Sequence, residues 1–246
     1  MFTRTAPLLP LRRSHSTVDF VEPLAPALVD RNAAVLLGLA CASVALLMGF
    51  GIPTLVPIDF LAEGGPVEAA TGWLYLAAFA TVLFTRLPVL PGLDKAAIGL
   101  LLLAFAAREA DLHVSLFQVS ILKASFYHRH GTPGQIAVAL CILLPVLLAF
   151  LLLLRRHGAL WLAAPSRWSA PVVTVTTFAV LILVAKVFDR LPAVIVDLGI
   201  LEAVPDRMRH VLLALEELLE LALPLLAMLA VVQGRLLHGQ ALSRAG

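Results

Sequence analysis

Runs of about twenty residues without a charged side chain restrict a chain more than any other sequence feature, and this chain is largely built from them. A helix rises ~1.5 Å per residue, so a run of that length matches a hydrocarbon core of ~30 Å. Span 1 is read over Ala33 to Leu55, inside the uncharged interval between Arg31 and Asp59. Span 2 lies between Glu68 and Arg86, span 4 over Gly131 to Leu154, span 5 between Arg167 and Asp189, and span 6 over His210 to Gln233. Span 3 starts after Lys95 and reaches His113, but only Ala96 to Ala107 are free of charge. The expected fold class is therefore all-α: a polytopic transmembrane helix bundle of about six spans.

Composition agrees with this reading. The chain has 246 residues, is 61% hydrophobic and 14% charged, and has a mean hydropathy of +0.97. Soluble domains are nearer half apolar and a quarter charged. The net charge of +2, without a basic tract or an acidic tail, gives no reason to expect a nucleic-acid partner. Cys41 and Cys141 lie in apolar blocks with no metal-ligand spacing around them, and are read as buried small residues.

Lys and Arg set the orientation. With the N-terminus inside, eleven of the 18 fall on inner segments, among them Arg12, Arg13, Arg155 and Arg156, against seven on outer segments. This bias places both termini in the cytoplasm. Trp161 and Trp168 flank the inner ends of spans 4 and 5, where amphipathic rings anchor at the interface. The expected organisation is a cytoplasmic N-terminal tail over 1–31, with an interfacial stretch near Val18 to Val29, a single transmembrane domain over 32–235 and a cytoplasmic C-terminal tail over 236–246. No cleavable signal is expected, because the first apolar block is long enough to span. Val114, Phe117 and Ile121 recur at helical spacing within the polar segment Val114 to His130, which predicts an interfacial helix between spans 3 and 4.

The chemistry is concentrated in three blocks. Span 3 ends in Arg108, Glu109, Ala110, Asp111, Leu112 and His113. Span 5 ends in Lys186, Val187, Phe188, Asp189 and Arg190. Span 6 carries Glu216, Glu217 and Glu220. Spans 3 and 5 end outside and span 6 begins outside, so all three blocks reach the same leaflet. Helical spacing puts Glu109 on a face with His113, Arg108 within reach of Asp111, Lys186 with Asp189 and Arg190, and Glu216 with Glu220. Pro224 cannot donate to the carbonyl of Glu220, which frees that acceptor. A charge at a span centre costs ~2.5–3.5 kcal/mol on insertion scales, so these groups need partners. They are candidates for binding a small cation, a proton or a lipid head group. Glu220 is the deepest acid and is expected to belong to the binding group, unless Lys186 or Arg190 reaches it and makes it structural. A purely structural network that fixes helix packing is the competing expectation.

Secondary candidates are Glu68, in the first turn of span 2 behind Gly64, Gly65 and Pro66; Lys123; His128, within Tyr127-His128-Arg129-His130; and His210, which opens span 6. Ser120 and Lys123 match the spacing of a serine–lysine dyad, but the companion motifs of that chemistry are missing, so the match is taken as chance.

The Arg108 to His113, Lys186 to Arg190 and Leu215 to Glu220 blocks, with the Gly-Pro-Val-Glu and Phe126-Tyr127 segments, resemble those of a group of uncharacterised bacterial multi-pass inner-membrane proteins. The resemblance covers most of the chain and implies a bacterial inner-membrane location. It implies no activity. The alkaline ceramidase-like hydrolases are similar in size and hydropathy and bind zinc through three histidines, yet no His-x-x-x-His occurs here and span 6 offers acids instead. The leading expectation is a non-enzymatic, transport-like membrane protein with an outer-leaflet carboxylate, Lys and Arg cluster. A membrane-embedded metal-dependent lipid hydrolase and a structural or assembly factor are the alternatives. No catalytic or metal-ligating residue is assigned, and no cofactor is implied strongly.

Overall fold

A computed structural model describes residues 25–51, 60–62, 64–87 and 90–245. The described residues form helices and connecting turns with no β-strand. The helices in chain order are α1 (Ala25–Val29), α2 (Ala33–Gly51), α3 (Pro66–Phe84), α4 (Gly92–Glu109), α5 (Leu112–Phe117), α6 (Pro133–His157), α7 (Ala159–Leu162), α8 (Ala170–Asp197) and α9 (Asp206–Ala245). Four of them, α2, α3, α6 and α8, are long and apolar enough to cross a membrane. Two other long helices, α4 and α9, carry charges within them.

Local chemistry sets several boundaries. Pro66, Pro133 and Pro171 stand in the first turns of α3, α6 and α8, where a missing N–H costs nothing. Thr132 and Gln135 form a reciprocal capping box at the start of α6, satisfying two otherwise orphaned donors. Pro145, Pro192 and Pro224 lie inside α6, α8 and α9 without ending them.

The hub is α9, which packs against α1, α2, α3 and α8. Its contact with α2 depends on Gly49, because a Cβ built there would lie 2.7 Å from Val211 Cα. Helix α4 packs on α3 and α6. One apolar cluster joins α2, α3 and α9 through Ala45, Val67, Val211, Ala214 and Leu218. Another joins α3, α4 and α9 through Tyr75, Val82, Leu102, Ala106 and Leu223. Helix α6 exposes Val138, Leu144, Leu148, Phe150 and Leu151, an apolar exterior that suits lipid better than water.

Several sequence expectations change here. The segment between α4 and α6 does not form one interfacial helix. It divides into α5 and a π-helical turn, Phe126–His130, after Gln118 takes up φ 61°. Phe117, Ile121 and Phe126 fold inward on Ala139 of α6, whereas Val114 stays exposed. Cys141 is exposed and Cys41 half-buried, because α6 turns most of its surface outward. Trp161 donates its indole N–H to Thr176 Oγ1 at 2.8 Å, and Trp168 donates to the carbonyl of Ala163 at 3.1 Å. The interfacial stretch expected from Val18 to Val29 falls mostly outside the described residues, and α1 forms its described end.

Candidate functional site: a carboxylate network across three helices

Helices α4 and α8 run parallel and α9 runs against them, so the end of α4, the second half of α8 and the first half of α9 meet at one level. Glu220 of α9 is the junction. Its Oε1 lies 3.2 Å from Arg108 Nη2 of α4 and 3.2 Å from Lys186 Nζ of α8. Arg108 Nη1 also donates to Glu109 Oε1 at 3.0 Å. Lys186 reaches Asp189 Oδ2 at 3.2 Å and Glu216 Oε1 at 3.8 Å. Arg190 stands 3.9 Å from Asp189, with most of its side chain exposed. The side chains of Glu109 and Glu220 are 5% and 9% exposed, so the paired acids lie deeper than the cations that reach them.

An aromatic layer closes the network from one side. The Tyr75 ring stacks on Phe105 at 5.3 Å between centroids, and Phe105 meets Phe178 edge-on at 6.0 Å. Tyr75 is fully buried, and its hydroxyl has no hydrogen-bond partner among the described residues. The acids whose charge that hydroxyl feels most are Glu109 and Glu220.

Glu217 differs from its neighbours. It is half-buried and surrounded by the like charges of Glu220, Glu216, Glu68 and Glu109. Among the described residues it makes no ion pair. Glu68 accepts a hydrogen bond from the Gly64 backbone N–H at 2.6 Å and also has no cationic partner among them. The ion-paired set holds four carboxylates and three cations. Glu68 and Glu217 add to that excess of negative charge.

The structure brings together Glu109, Lys186, Asp189, Arg190, Glu216 and Glu220, with Glu217 and Glu68 beside them. It leaves others apart. Helix α4 stops at Glu109, and Asp111 adopts a left-handed φ of 47°. The four-residue spacing of Glu109 and His113 therefore no longer describes a shared face. Asp111 is exposed and His113 half-buried, and Arg108 pairs with Glu109 and Glu220 rather than with Asp111. Lys123 and His128 are exposed and make no ion pair with a described residue. His210 is buried, and its Nε2 lacks a partner among the described residues. Glu220, expected to bind a ligand, is instead held by two cations, so the acids left without a cation are Glu217 and Glu68.

Sequence reasoning missed a second polar site at the opposite end of the bundle. Asp94, in the first turn of α4, is 1% exposed and accepts from Arg156 Nη1 at 2.5 Å; its other oxygen meets His157 Nε2 at 2.9 Å. Both partners come from the last turn of α6. Separately, buried Thr174 donates to Gln233 Oε1 at 2.6 Å, and Gln233 donates to the carbonyl of Leu28 at 3.0 Å, linking α8, α9 and α1. An available signal was Asp94, the one acid between Arg86 and Lys95 in the sequence, with the basic pair Arg155 and Arg156 at the end of span 4 as its possible partner.

Among the described residues, no group of three His, Cys, Asp or Glu side chains is arranged to hold a metal ion. Comparison of the chain with protein-family models, with curated proteins and with solved structures returns no match.

Proposed function

We propose that this is a multi-pass protein of the bacterial inner membrane, with α2, α3, α4, α6, α8 and α9 as six spans and both termini cytoplasmic. Its outer-half carboxylate network binds a cationic ligand, a proton or an organic ammonium, in a transport-like role. The observation that carries this reading is Glu217, a half-buried acid among like charges with no counter-ion among the described residues. Carboxylates so crowded repel unless a proton or a cation stands between them. Among the described residues, the donor arrangement gives no support to a metal-dependent hydrolase.

The clamp of Arg108 and Lys186 on Glu220 favours a second reading, a network whose task is to hold α4, α8 and α9 in register. One experiment separates the two. Purified protein and a Glu217→Gln variant are melted in detergent over a range of pH, with and without added Na⁺, Mg²⁺ or ethylamine. The binding reading expects the parent to gain stability from protons or an added cation, and the variant to keep its basal melting temperature without that gain. A parent whose response to pH and cations equals the variant's would decide for the structural reading.

A further inference from the structure

The network opens sideways into a groove of about 600 Å³ between α3 and α4. Glu68 and Glu109 lie along its polar side, and Asp111 stands where α4 ends. Gly72 lines the groove beside Glu109, and a Cβ built there would make an ordinary 3.7 Å contact with the Cβ of Glu109, so a methyl fits and a larger side chain would extend into the space. Trp73, Leu76 and Leu103 line the apolar side and are 72%, 39% and 38% exposed. The buried Tyr75 hydroxyl, without a hydrogen-bond partner among the described residues, lies outside the groove's lining. Only one oxygen of Glu109 is taken by Arg108.

We infer that this groove binds a membrane-resident amphiphile carrying a primary ammonium head and a net positive charge, taken laterally from the outer leaflet. The inference deepens the reading above, on which it rests. A primary ammonium presents three N–H donors and no acceptor. Here it meets acceptors in Glu68 and the open oxygen of Glu109. A phosphate-bearing zwitterion would bring its anion against Glu68 and Asp111, and like charges so placed are unfavourable. The exposed apolar wall selects the source, because Trp73, Leu76 and Leu103 reward an acyl chain and offer a small soluble amine nothing. Trp73 also suits the headgroup level, where indole rings are enriched.

Trp73 supplies the measurement. In a Trp161→Phe, Trp168→Phe protein it is the only tryptophan left of the three. This protein is placed in phosphatidylcholine nanodiscs with dibromostearylamine or dibromostearyl alcohol at equal mole fraction. The two quenchers share a tail and differ in the head. The amine is expected to quench Trp73 about threefold more strongly, the scale of a modest ion-pair gain. Glu68→Gln and Gly72→Leu should each bring the amine down to the alcohol's level, and Gly72→Ala should retain the preference. Excess ethylamine in the aqueous phase should not relieve the quenching. Equal quenching by amine and alcohol in the parent would overturn the inference, and so would displacement by ethylamine, which would make the ligand a soluble amine. If equal quenching accompanies an intact Glu217-dependent stabilisation, the groove assignment falls and the proposed function stands. The opposite pattern removes the Glu217 reading and leaves lipid binding.

Discussion

Two polar sites lie at opposite ends of α4, and they differ in how completely they are closed. At one end, Asp94 receives Arg156 and His157 on separate oxygens, so a single acid is fully occupied by its partners. At the other, Glu220 shares one oxygen between Arg108 and Lys186, while Glu217 and Glu68 have no cation among the described residues. A closed pair holds helices together and has nothing left to offer a ligand. An acid-rich network can hold helices together and still keep carboxylates that have no cation among the described residues. Buried charge alone therefore does not mark function, and the balance of acids against cations is more informative.

Mutations can break or sharpen this contrast. The largest effect is expected from Glu220→Ala, which leaves Arg108 and Lys186 without their common partner. Removing one side of a buried pair costs ~3–5 kcal/mol, and the part-exposure of both cations places this variant near the lower end. Thermal unfolding in detergent should show it as a drop of several degrees, and an unchanged melting temperature would remove Glu220 from its role as junction.

Asp94→Asn should follow, with a loss of about 1–3 kcal/mol for a buried hydrogen-bonding group left poorly matched. A double-mutant cycle with Arg156→Gln should give a clear coupling energy. Additive losses would show that α4 and α6 are not joined through this pair.

Glu217→Gln should change stability by no more than ~0.5 kcal/mol, as expected where no paired contact is lost. Relief of like-charge repulsion makes a small gain the expected sign. A loss comparable with that of Glu220→Ala would mean that Glu217 has a structural partner.

The smallest effect belongs to Arg190→Gln. Arg190 is mostly exposed and its contact with Asp189 is long, so the change should stay below ~1 kcal/mol. Raising the salt concentration should weaken even that difference, because exposed pairs are screened.

Much of the helical frame was legible in the sequence, because uncharged runs leave few alternatives in a lipid-like environment. The meeting of Glu109, Lys186 and Glu220 follows from helix direction and spacing, both of which the sequence carries. The exit from α4 was less visible. No Gly or Pro marks the break at Ala110 and Asp111, and a left-handed φ at Asp111 is a tertiary outcome that local propensity does not dictate. That single turn removed Asp111 and His113 from the network and freed Arg108 for Glu220. The Asp94 site was hidden for another reason: its partners are 62 and 63 residues away, and pairing between helices depends on which neighbours pack, which one sequence does not specify.

The hub position of α9 has a consequence for biosynthesis. A ribosome makes this helix after all the others described here, and Arg108 emerges 112 residues before Glu220. Until then Arg108 and Lys186 are two cations without their shared acid, in helices that have yet to find their common neighbour. A nascent chain interrupted before α9 keeps the pairs Arg108–Glu109 and Lys186–Asp189 but lacks the acid that ties α4 to α8, so the bundle is completed from its C-terminal side.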